Sequence, residues 1–497
     1  MTFRKGDLNC TLDEKAALRH GADERNEDPV AVGVAGRQPE EVYERTLSWW
    51  RQGIRRAILR NVERESPVLA RMQAKIRHPF LDAYFVYTSS LGTHTFFMVM
   101  LPIFYFFGAP KFGRGLLLML AVGVYVSSFL KDLCCAPRPF APPVARLTIG
   151  NHHLEYGFPS THSTNSVSLA LFFYTLLQHV YHPDGPISQF GYNCIIGILC
   201  FYVFSIVFGR LYTGMHSFTD CVGGVVLGAS IWGLHILIGE SVDAWSREQG
   251  WIVPALIVPM CLVLVHRHPQ PVDDCPCFED AIAFNSVIMG EFVIRWWMDN
   301  YGYDASFFTH AMPGASWATY QDFATWWGTA ALKMVFGVLA IFVWRIVAKS
   351  FCLSVLPPIF RLLSHLVTLP HRRFYTPATD YTTVPPEKGL RPIPSVIDLP
   401  RMMEVEMDDV AASGARANGT YGAVKQRAIA RGGKSESEKQ HLGRAPDATD
   451  NRKSRRELKH YDADVLTKVF VYCGIGMVAT GVVPILFEVL GWGVRMS

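Results

Sequence analysis

The sequence predicts an all-α, polytopic transmembrane helix bundle with eight or nine spans. Half of its 497 residues are hydrophobic and only 18% are Asp, Glu, Lys or Arg, whereas water-soluble chains carry about 25%. Most of the charged residues lie in 1–80 and 371–465, and the rest of the chain is dominated by long apolar runs. This composition excludes a single soluble domain, a collagen-like or coiled-coil rod and a wholly disordered chain.

Residues 1–80 form a polar N-terminal region without the apolar core of a signal peptide. A helical period begins at residue 40 and places four apolar side chains on one stripe: Leu47, Trp50, Ile54 and Ile58. This pattern predicts an amphipathic helix near 40–60. The helix lies either in the lipid headgroup layer or packed on the protein, and both interpretations stay open.

Nine apolar runs predict the membrane spans, most of them within a transmembrane domain over residues 81–350. They lie at approximately 82–107, 115–131, 164–182, 191–208, 220–239, 251–266, 281–297, 326–349 and 467–492. Most are long enough to cross a hydrocarbon core of about 30 Å. The short run 281–297 and the proline-interrupted stretch 351–370 stay ambiguous. Glu291 and Lys333 inside runs predict internal polar contacts.

Residues 371–465 are rich in Pro, Gly, Ser and charge, which predicts a disordered basic insertion before a C-terminal span at 466–497.

The 11 cysteines show no disulfide pattern and are predicted as small buried apolar residues. The Cys275-Pro276-Cys277 spacing does not match the usual zinc pattern, so neither a metal nor a cofactor is predicted. A net charge of +4 is too small to indicate nucleic acid as a partner.

Three cations lie at the ends of apolar runs, where a charge is costly unless it is solvated, paired with an opposite charge or part of a functional site. Lys131 and Arg138 flank the end of one run, and Arg210 ends another. Singly, each is more often a lipid-facing anchor. Together at the membrane edge they suit a phosphate, a dianion that needs charge and several hydrogen-bond donors.

Two histidines occupy comparable positions. His162 follows a Pro-Ser-Thr turn whose hydroxyl and backbone donors suit an anion. His216 precedes Asp220 by four residues, a spacing that on a helix lets the carboxylate orient the imidazole. The pattern predicts His216 as a nucleophile, Asp220 as its orienting group and His162 as the acid that protonates the leaving alkoxide. The predicted phosphate-binding residues are Lys131, Arg138, Ser160, Thr161 and Arg210.

These residues form three ordered motifs that resemble the signature of the type 2 phosphatidic acid phosphatase superfamily. The first, K-x6-R-P, starts at Lys131, and the second, P-S-x-H, ends at His162. The third, S-R-x5-H-x3-D, ends at Asp220 and has Gly209 in place of the usual Ser, which removes one possible phosphate donor. Within the superfamily, the PSTH, RLYTGMHS and HPQPVDDCPCFEDAIAF segments look like the sphingosine-phosphate phosphatases.

The resemblance covers roughly residues 75–350 and implies a metal-independent phosphomonoesterase built on the superfamily's helical core. It implies a membrane-dissolved lipid phosphate as substrate, namely a phosphorylated sphingoid base, and a site open to the lumen of the endoplasmic reticulum. Counting spans from a cytoplasmic N-terminal region would instead place the site in the cytoplasm.

Two alternative functions also stay open: a broad phosphatase of phosphatidate or lysophosphatidate, and a non-catalytic lipid transporter or scaffold. Glu155 and Tyr156 are candidates for headgroup selection.

Overall fold

The computed structural model describes residues 35–92, 94–147, 155–182, 185, 187–380 and 460–494. This part of the chain is mostly helical, as predicted. Its helices are α1 Glu40–Thr46, α2 Trp49–Ile76, α3 Pro79–Thr88, α4 His94–Phe106, α5 Pro110–Cys134, α6 Thr161–Val180, α7 Gln189–Tyr212, α8 Phe218–Glu248, α9 Ile252–His266, α10 Cys277–Asn300, α11 Tyr320–Ser364, α12 Asp462–Met477 and α13 Val483–Val489. A π-helical turn at Val478–Val482 joins α12 to α13, and two short strands, β1 Tyr375–Thr376 and β2 His460–Tyr461, pair in parallel.

Five helical segments of the described chain are long and apolar enough to cross a bilayer: α5, α7, α8, α11 and the continuous stretch Asp462–Val489. Helices α7, α8 and α11 leave most of their apolar surface exposed, as lipid-facing helices do. The predicted number of eight or nine spans is not confirmed. The first predicted span, 82–107, is interrupted at Ser89–Gly92, and α3 before it is only about 15 Å long.

Helix α6 lies at the centre of the fold and packs against α5, α7 and α8. Gly224 and Gly228 of α8 allow the closest approach, because a Cβ atom there would stand 2.5 and 2.4 Å from the carbonyl oxygens of Ser160 and Thr164. Small residues four apart permit this kind of backbone contact between helices. As a result, the first turns of α6 and α8 lie side by side.

A second group of helices packs behind this centre. Helix α10 contacts α5, α9 and α12, and α12 also packs on α11. The predicted internal contact of Lys333 is present, because its Nζ donates to the carbonyls of Phe106 and Trp492 at 2.7 and 2.8 Å. Glu291 is buried, with its carboxylate 3.9 Å from Arg114 Nε. The ambiguous stretch 351–370 is helical as far as the end of α11.

The N-terminal amphipathic helix differs from its prediction in two ways. It is divided into α1 and α2, and its buried face is not the predicted stripe: Leu47 and Ile58 are buried, whereas Trp50 and Ile54 are exposed. Arg55 is buried instead, with its guanidinium 3.6 Å from the centre of the Tyr43 ring. Burial of this arginine is possible because it pairs with acidic and carbonyl oxygens from several segments.

The predicted insertion at 371–465 falls mostly outside the described residues. Its described flanks are attached to the body of the protein, because β1 pairs with β2 and the Arg372 guanidinium lies 3.4 Å from the centre of the Phe278 ring. The described flanks, 371–380 and 460–465, are therefore structured, whereas the sequence predicts disorder there.

The cysteine prediction is wrong at two places. Cys275 and Cys277 are joined by a disulfide, because the turn before α10 brings the two side chains together. Cys194 and Cys200 lie exposed on α7 and are not buried, since the apolar surface of this helix faces outward.

Candidate active site

Four helix ends meet at one place and bring the three predicted cations together. Lys131 lies in the last turn of α5, Arg138 follows that helix, and Arg210 lies in the last turn of α7. All three side chains are buried. Arg210 Nε has no hydrogen-bond partner among the described residues, so a donor remains available for an anion. The arrangement can bind a phosphate with charge and with directed hydrogen bonds.

His216 lies in the turn between α7 and α8, beside these cations. The backbone N–H groups of Met215 and His216 donate to the carbonyl of Arg210 at 3.1 and 3.3 Å, which closes the turn. Arg138 Nη1 lies 3.1 Å from His216 Nε2. Because a guanidinium can only donate hydrogen bonds, Nε2 is the acceptor and carries the lone pair. The proton of the neutral imidazole is therefore on Nδ1.

The surroundings of His216 keep it neutral. Burial lowers the pKa of His216 well below its usual value of 6.5, and the charges of Arg138 and Arg210 lower it further. Lys131 and His162 act in the same direction. A neutral imidazole with its Nε2 lone pair directed at the cations can act as a nucleophile toward phosphorus.

Asp220 is fully buried and its Oδ2 lies 3.6 Å from His216 Nδ1. The predicted pair is therefore present, although His216 precedes α8 and does not lie on a helix with Asp220. A capping box brings the two together: Ser217 N–H donates to Asp220 Oδ2 at 2.8 Å, and Asp220 N–H donates to Ser217 Oγ at 3.1 Å. The same carboxylate therefore caps α8 and faces the imidazole.

The second motif lies at the site, and Ser160 and Thr161 also make contacts within the fold. The Ser160 N–H donates to the Asp220 carbonyl at 3.0 Å, so this amide is not a phosphate donor. The Ser160 Oγ caps α6 by accepting from the Ser163 N–H. The Thr161 hydroxyl lies 3.0 Å from Ser127 Oγ and connects α6 to α5. His162 lies half-buried in the first turn of α6.

The sequence predicted no contact between Glu155 and the phosphate site, yet Glu155 lies among the cations that are predicted to bind phosphate. Its Oε2 is 2.6 Å from Lys131 Nζ and 3.5 Å from Arg138 Nη2. Arg138 Nε also donates to the Glu155 carbonyl at 2.9 Å. One signal could have found it, because Glu155 is the only acidic residue between Asp132 and Asp184.

Tyr156, the other candidate for headgroup selection, faces away from the cations. It is fully buried, and its hydroxyl donates to Asp273 Oδ2 at 2.8 Å. The Asp273 N–H donates back to the same hydroxyl at 2.9 Å. Tyr156 therefore anchors the segment that carries Glu155.

One group of described residues has ligand atoms close enough together for a metal: Asp132, Cys275 and Cys277. The two cysteine sulfurs are joined in the disulfide, so they are not thiolate ligands, and the set does not fit a zinc site. The absence of a metal at the catalytic centre stays a prediction.

Comparisons with known proteins identify the family of this chain. The family model of the PAP2 superfamily matches residues 112–241, which include most of α5 and all of α6 and α7. A dihydrosphingosine 1-phosphate phosphatase of Schizosaccharomyces pombe is 37% identical over 316 residues, which cover 62% of this chain and 72% of that protein. The chain belongs to the sphingosine-phosphate phosphatase branch of the PAP2 superfamily.

Further relatives extend the comparison. A dihydrosphingosine 1-phosphate phosphatase of Saccharomyces cerevisiae is 31% identical over 331 residues, which cover 66% of this chain and 77% of that protein. A crystal structure of a PAP2-type phosphatidylglycerolphosphate phosphatase from Bacillus subtilis covers 41% of this chain and 96% of its own, at 22% identity and a TM-score of 0.32. As a branch member, this protein is a lipid phosphomonoesterase.

Proposed function

We propose that this protein hydrolyses phosphorylated sphingoid long-chain bases to the free base and phosphate. The substrates are dihydrosphingosine 1-phosphate, sphingosine 1-phosphate or phytosphingosine 1-phosphate. The observation that carries the proposal is the contact between Arg138 Nη1 and His216 Nε2, which leaves an unprotonated nitrogen among three buried cations. The substrate class follows from the named activity of the relatives.

The first step is an in-line displacement at phosphorus. Lys131, Arg138 and Arg210 hold the phosphate oxygens and neutralise charge in the transition state. When Arg138 donates to the phosphate, it releases the Nε2 lone pair of His216, and a bond forms between His216 Nε2 and phosphorus while the ester P–O bond breaks. The positive charge that develops on the imidazole is stabilised by Asp220, which faces Nδ1. His162 transfers its proton to the leaving alkoxide, which becomes the hydroxyl of the free base.

The second step hydrolyses the phosphohistidine. His162, now neutral, accepts a proton from water as the water oxygen bonds to phosphorus. The N–P bond breaks, and its electron pair returns to His216 Nε2. The phosphate leaves, and both histidines regain the protonation states in which they started. The cations remain in place throughout and need no metal to assist them.

The proposed setting is the endoplasmic reticulum membrane, which the chain crosses eight or nine times with the site open to the lumen. The exposed apolar surfaces of α7, α8 and α11 support a lipid-embedded body. The substrate's hydrocarbon chain remains in the bilayer while its phosphate reaches the cations at the helix ends.

The experiment compares purified wild-type protein with His216→Ala in mixed micelles. We expect the wild type to hydrolyse dihydrosphingosine 1-phosphate with a larger kcat/KM than phosphatidate. We expect His216→Ala to retain less than about 1% of the activity, because a lost nucleophile costs several orders of magnitude. Wild type quenched in alkaline detergent, which preserves the acid-labile N–P bond, should carry phosphate on histidine, and the variant should not.

The matched control is His179→Ala, since His179 is an exposed histidine at the far end of α6. It should keep wild-type activity and thermal stability. A well-folded His216→Ala protein that retains more than about 1% activity would remove His216 from the nucleophile role. A larger kcat/KM on phosphatidate would instead identify a broad lipid phosphate phosphatase.

A further inference from the structure

The Glu155 carboxylate is an anion at the place where the substrate phosphate must bind. Its Oε2 is 2.6 Å from Lys131 Nζ, and both Lys131 and Arg138 are almost completely buried. Two buried cations without an anion would carry a large desolvation cost, so the carboxylate stabilises the empty site. A phosphate dianion binds the same donors more strongly and displaces the carboxylate from them.

The main chain of Glu155 remains anchored when its side chain moves. Arg138 Nε donates to the Glu155 carbonyl, and the next residue, Tyr156, is held by Asp273. The side chain is 15% exposed, so it has access to the mouth of the site. The displaced carboxylate therefore stays next to the bound phosphate and needs a new cation there.

A phosphorylated sphingoid base supplies that cation. Its ammonium group is on the carbon next to the one that carries the phosphate, so the two charged groups enter the site together. We propose that Glu155 binds the substrate ammonium after the phosphate has displaced it from Lys131, and that this exchange selects amino-alcohol phosphates over other lipid phosphates. The inference rests on the proposed function and names the selectivity residue of that site.

The other described carboxylates beside these cations are not suited to this role. Asp220 is fully buried and its Oδ2 is occupied by the Ser217 amide and faces His216. Asp132 is also fully buried, and its Oδ2 lies 3.6 Å from His268 Nδ1. Glu155 is the carboxylate with both solvent access and contact with the phosphate-binding cations.

The test compares kcat/KM for two proteins, each on two substrates. Wild type and Glu155→Gln are assayed on dihydrosphingosine 1-phosphate and on the analogue of the same chain length that lacks the 2-amino group. We expect Glu155→Gln to lower kcat/KM on the amino substrate by about 10- to 100-fold, within the range of a charged pair removed from a partly buried site. On the deaminated substrate, kcat/KM should be higher, because the negative charge that competes with the phosphate has been removed. The wild-type preference for the amine should disappear.

The matched control is Glu65→Gln. Glu65 is a half-buried carboxylate near the site that accepts from the Thr219 N–H and hydroxyl and is not in contact with the three cations. It should alter both substrates by the same factor. Glu155→Gln acting equally on both substrates, in either direction, would overturn ammonium binding. Failure of the wild type on both substrates would contradict the proposed function instead.

Inhibition by vanadate tests the displacement separately, because vanadate is a phosphate-like anion without an ammonium group. Removing the competing negative charge should lower the vanadate inhibition constant of Glu155→Gln relative to wild type by about tenfold. An unchanged constant would show that the carboxylate does not compete for the phosphate position. Thermal unfolding of each variant in the same micelles establishes that the compared proteins are folded.

Discussion

His162 and His216 have different parts in the proposed chemistry, and the leaving group distinguishes them. A sphingoid alkoxide needs a proton to depart, whereas the phenolate of p-nitrophenyl phosphate does not. His162→Ala should therefore form phosphohistidine about 100-fold or more slowly than wild type on a sphingoid-base phosphate, with a much smaller defect on the aryl phosphate. His216→Ala should fail on both substrates.

The measurement must follow the first step, by burst kinetics or by trapping phosphohistidine in an alkaline quench, since His162 also activates water in the second. The exposed His179→Ala variant again provides the reference. Equal defects of His162→Ala on both substrates would mean that His162 binds phosphate or supports the turn and does not donate the proton.

His268 makes the stability of the fold sensitive to acid. It is buried beside the rings of Phe129 and Phe278, and its Nδ1 lies 3.6 Å from the Oδ2 of the buried Asp132. Burial lowers the pKa of His268 from 6.5 to about 3. Between these values the unfolded chain binds a proton that the folded chain does not, so stability falls as pH falls below 6.5 and is unaffected above it. The loss at pH 5 is about 2 kcal/mol.

The unfolding free energy of wild type and of His268→Phe should be compared at pH 5 and pH 7. We expect the decrease between the two pH values to be about 2 kcal/mol smaller in the variant, because the buried titratable group is gone. His266→Phe, which removes an exposed histidine two positions away, should keep the wild-type decrease. The same decrease in all three proteins would contradict the assignment.

At the level of elements, Asp273 connects the N-terminal segment, the site segment and the loop between α9 and α10. Its Oδ2 accepts from the Gly36 N–H and from the hydroxyls of Tyr43 and Tyr156, at 2.7 to 2.9 Å. Asp273→Asn should destabilise the fold by about 3 kcal/mol, because an amide group cannot accept all of these charge-assisted bonds. Thermal and denaturant unfolding in micelles measure the loss.

The Glu248→Gln variant serves as the control, since Glu248 is an exposed carboxylate at the end of α8. It should unfold close to wild type. Activity at a temperature where Asp273→Asn remains folded should also fall, because Tyr156 anchors Glu155. A wild-type unfolding midpoint for Asp273→Asn would show that the network adds no net stability.

For the whole molecule, the direction of α6 and α7 predicts which loops share a membrane side. Helix α6 begins at the site and α7 ends there, and α6 is about 30 Å long. A glycosylation acceptor engineered within 145–155 should therefore be modified if the site is lumenal, and one within 182–188 should not. The two natural acceptor sequences, at Asn9 and Asn418, are first removed by replacement with Gln.

Gel mobility before and after glycosidase treatment measures the modification in microsomes. Modification at 182–188 and not at 145–155 would place the site in the cytoplasm, as the count of spans from a cytoplasmic N-terminal region predicts. Modification of both acceptors would contradict the predicted crossing of the membrane by the run 164–182 and by α7.

The sequence by itself determined the helical class, the family resemblance and the residues that carry the proposed chemistry. Hydropathy runs are local properties of the chain, and Lys131, His162 and His216 belong to short motifs whose spacing can be read directly. The buried face of α2 could not be predicted in this way, because a pairing with Glu40 and Tyr43 makes Arg55 a core residue.

Only the tertiary structure decided how these residues act together. The tautomer of His216 depends on Arg138, which is 78 positions away, and Asp273 binds Tyr43 across 230 positions. The contact of Glu155 with Lys131, the capping role of Ser160 and the direction of Tyr156 toward Asp273 have the same origin. Hydrogen bonds and charge pairs between distant segments depend on how the helices pack, and no local pattern in the chain records that packing.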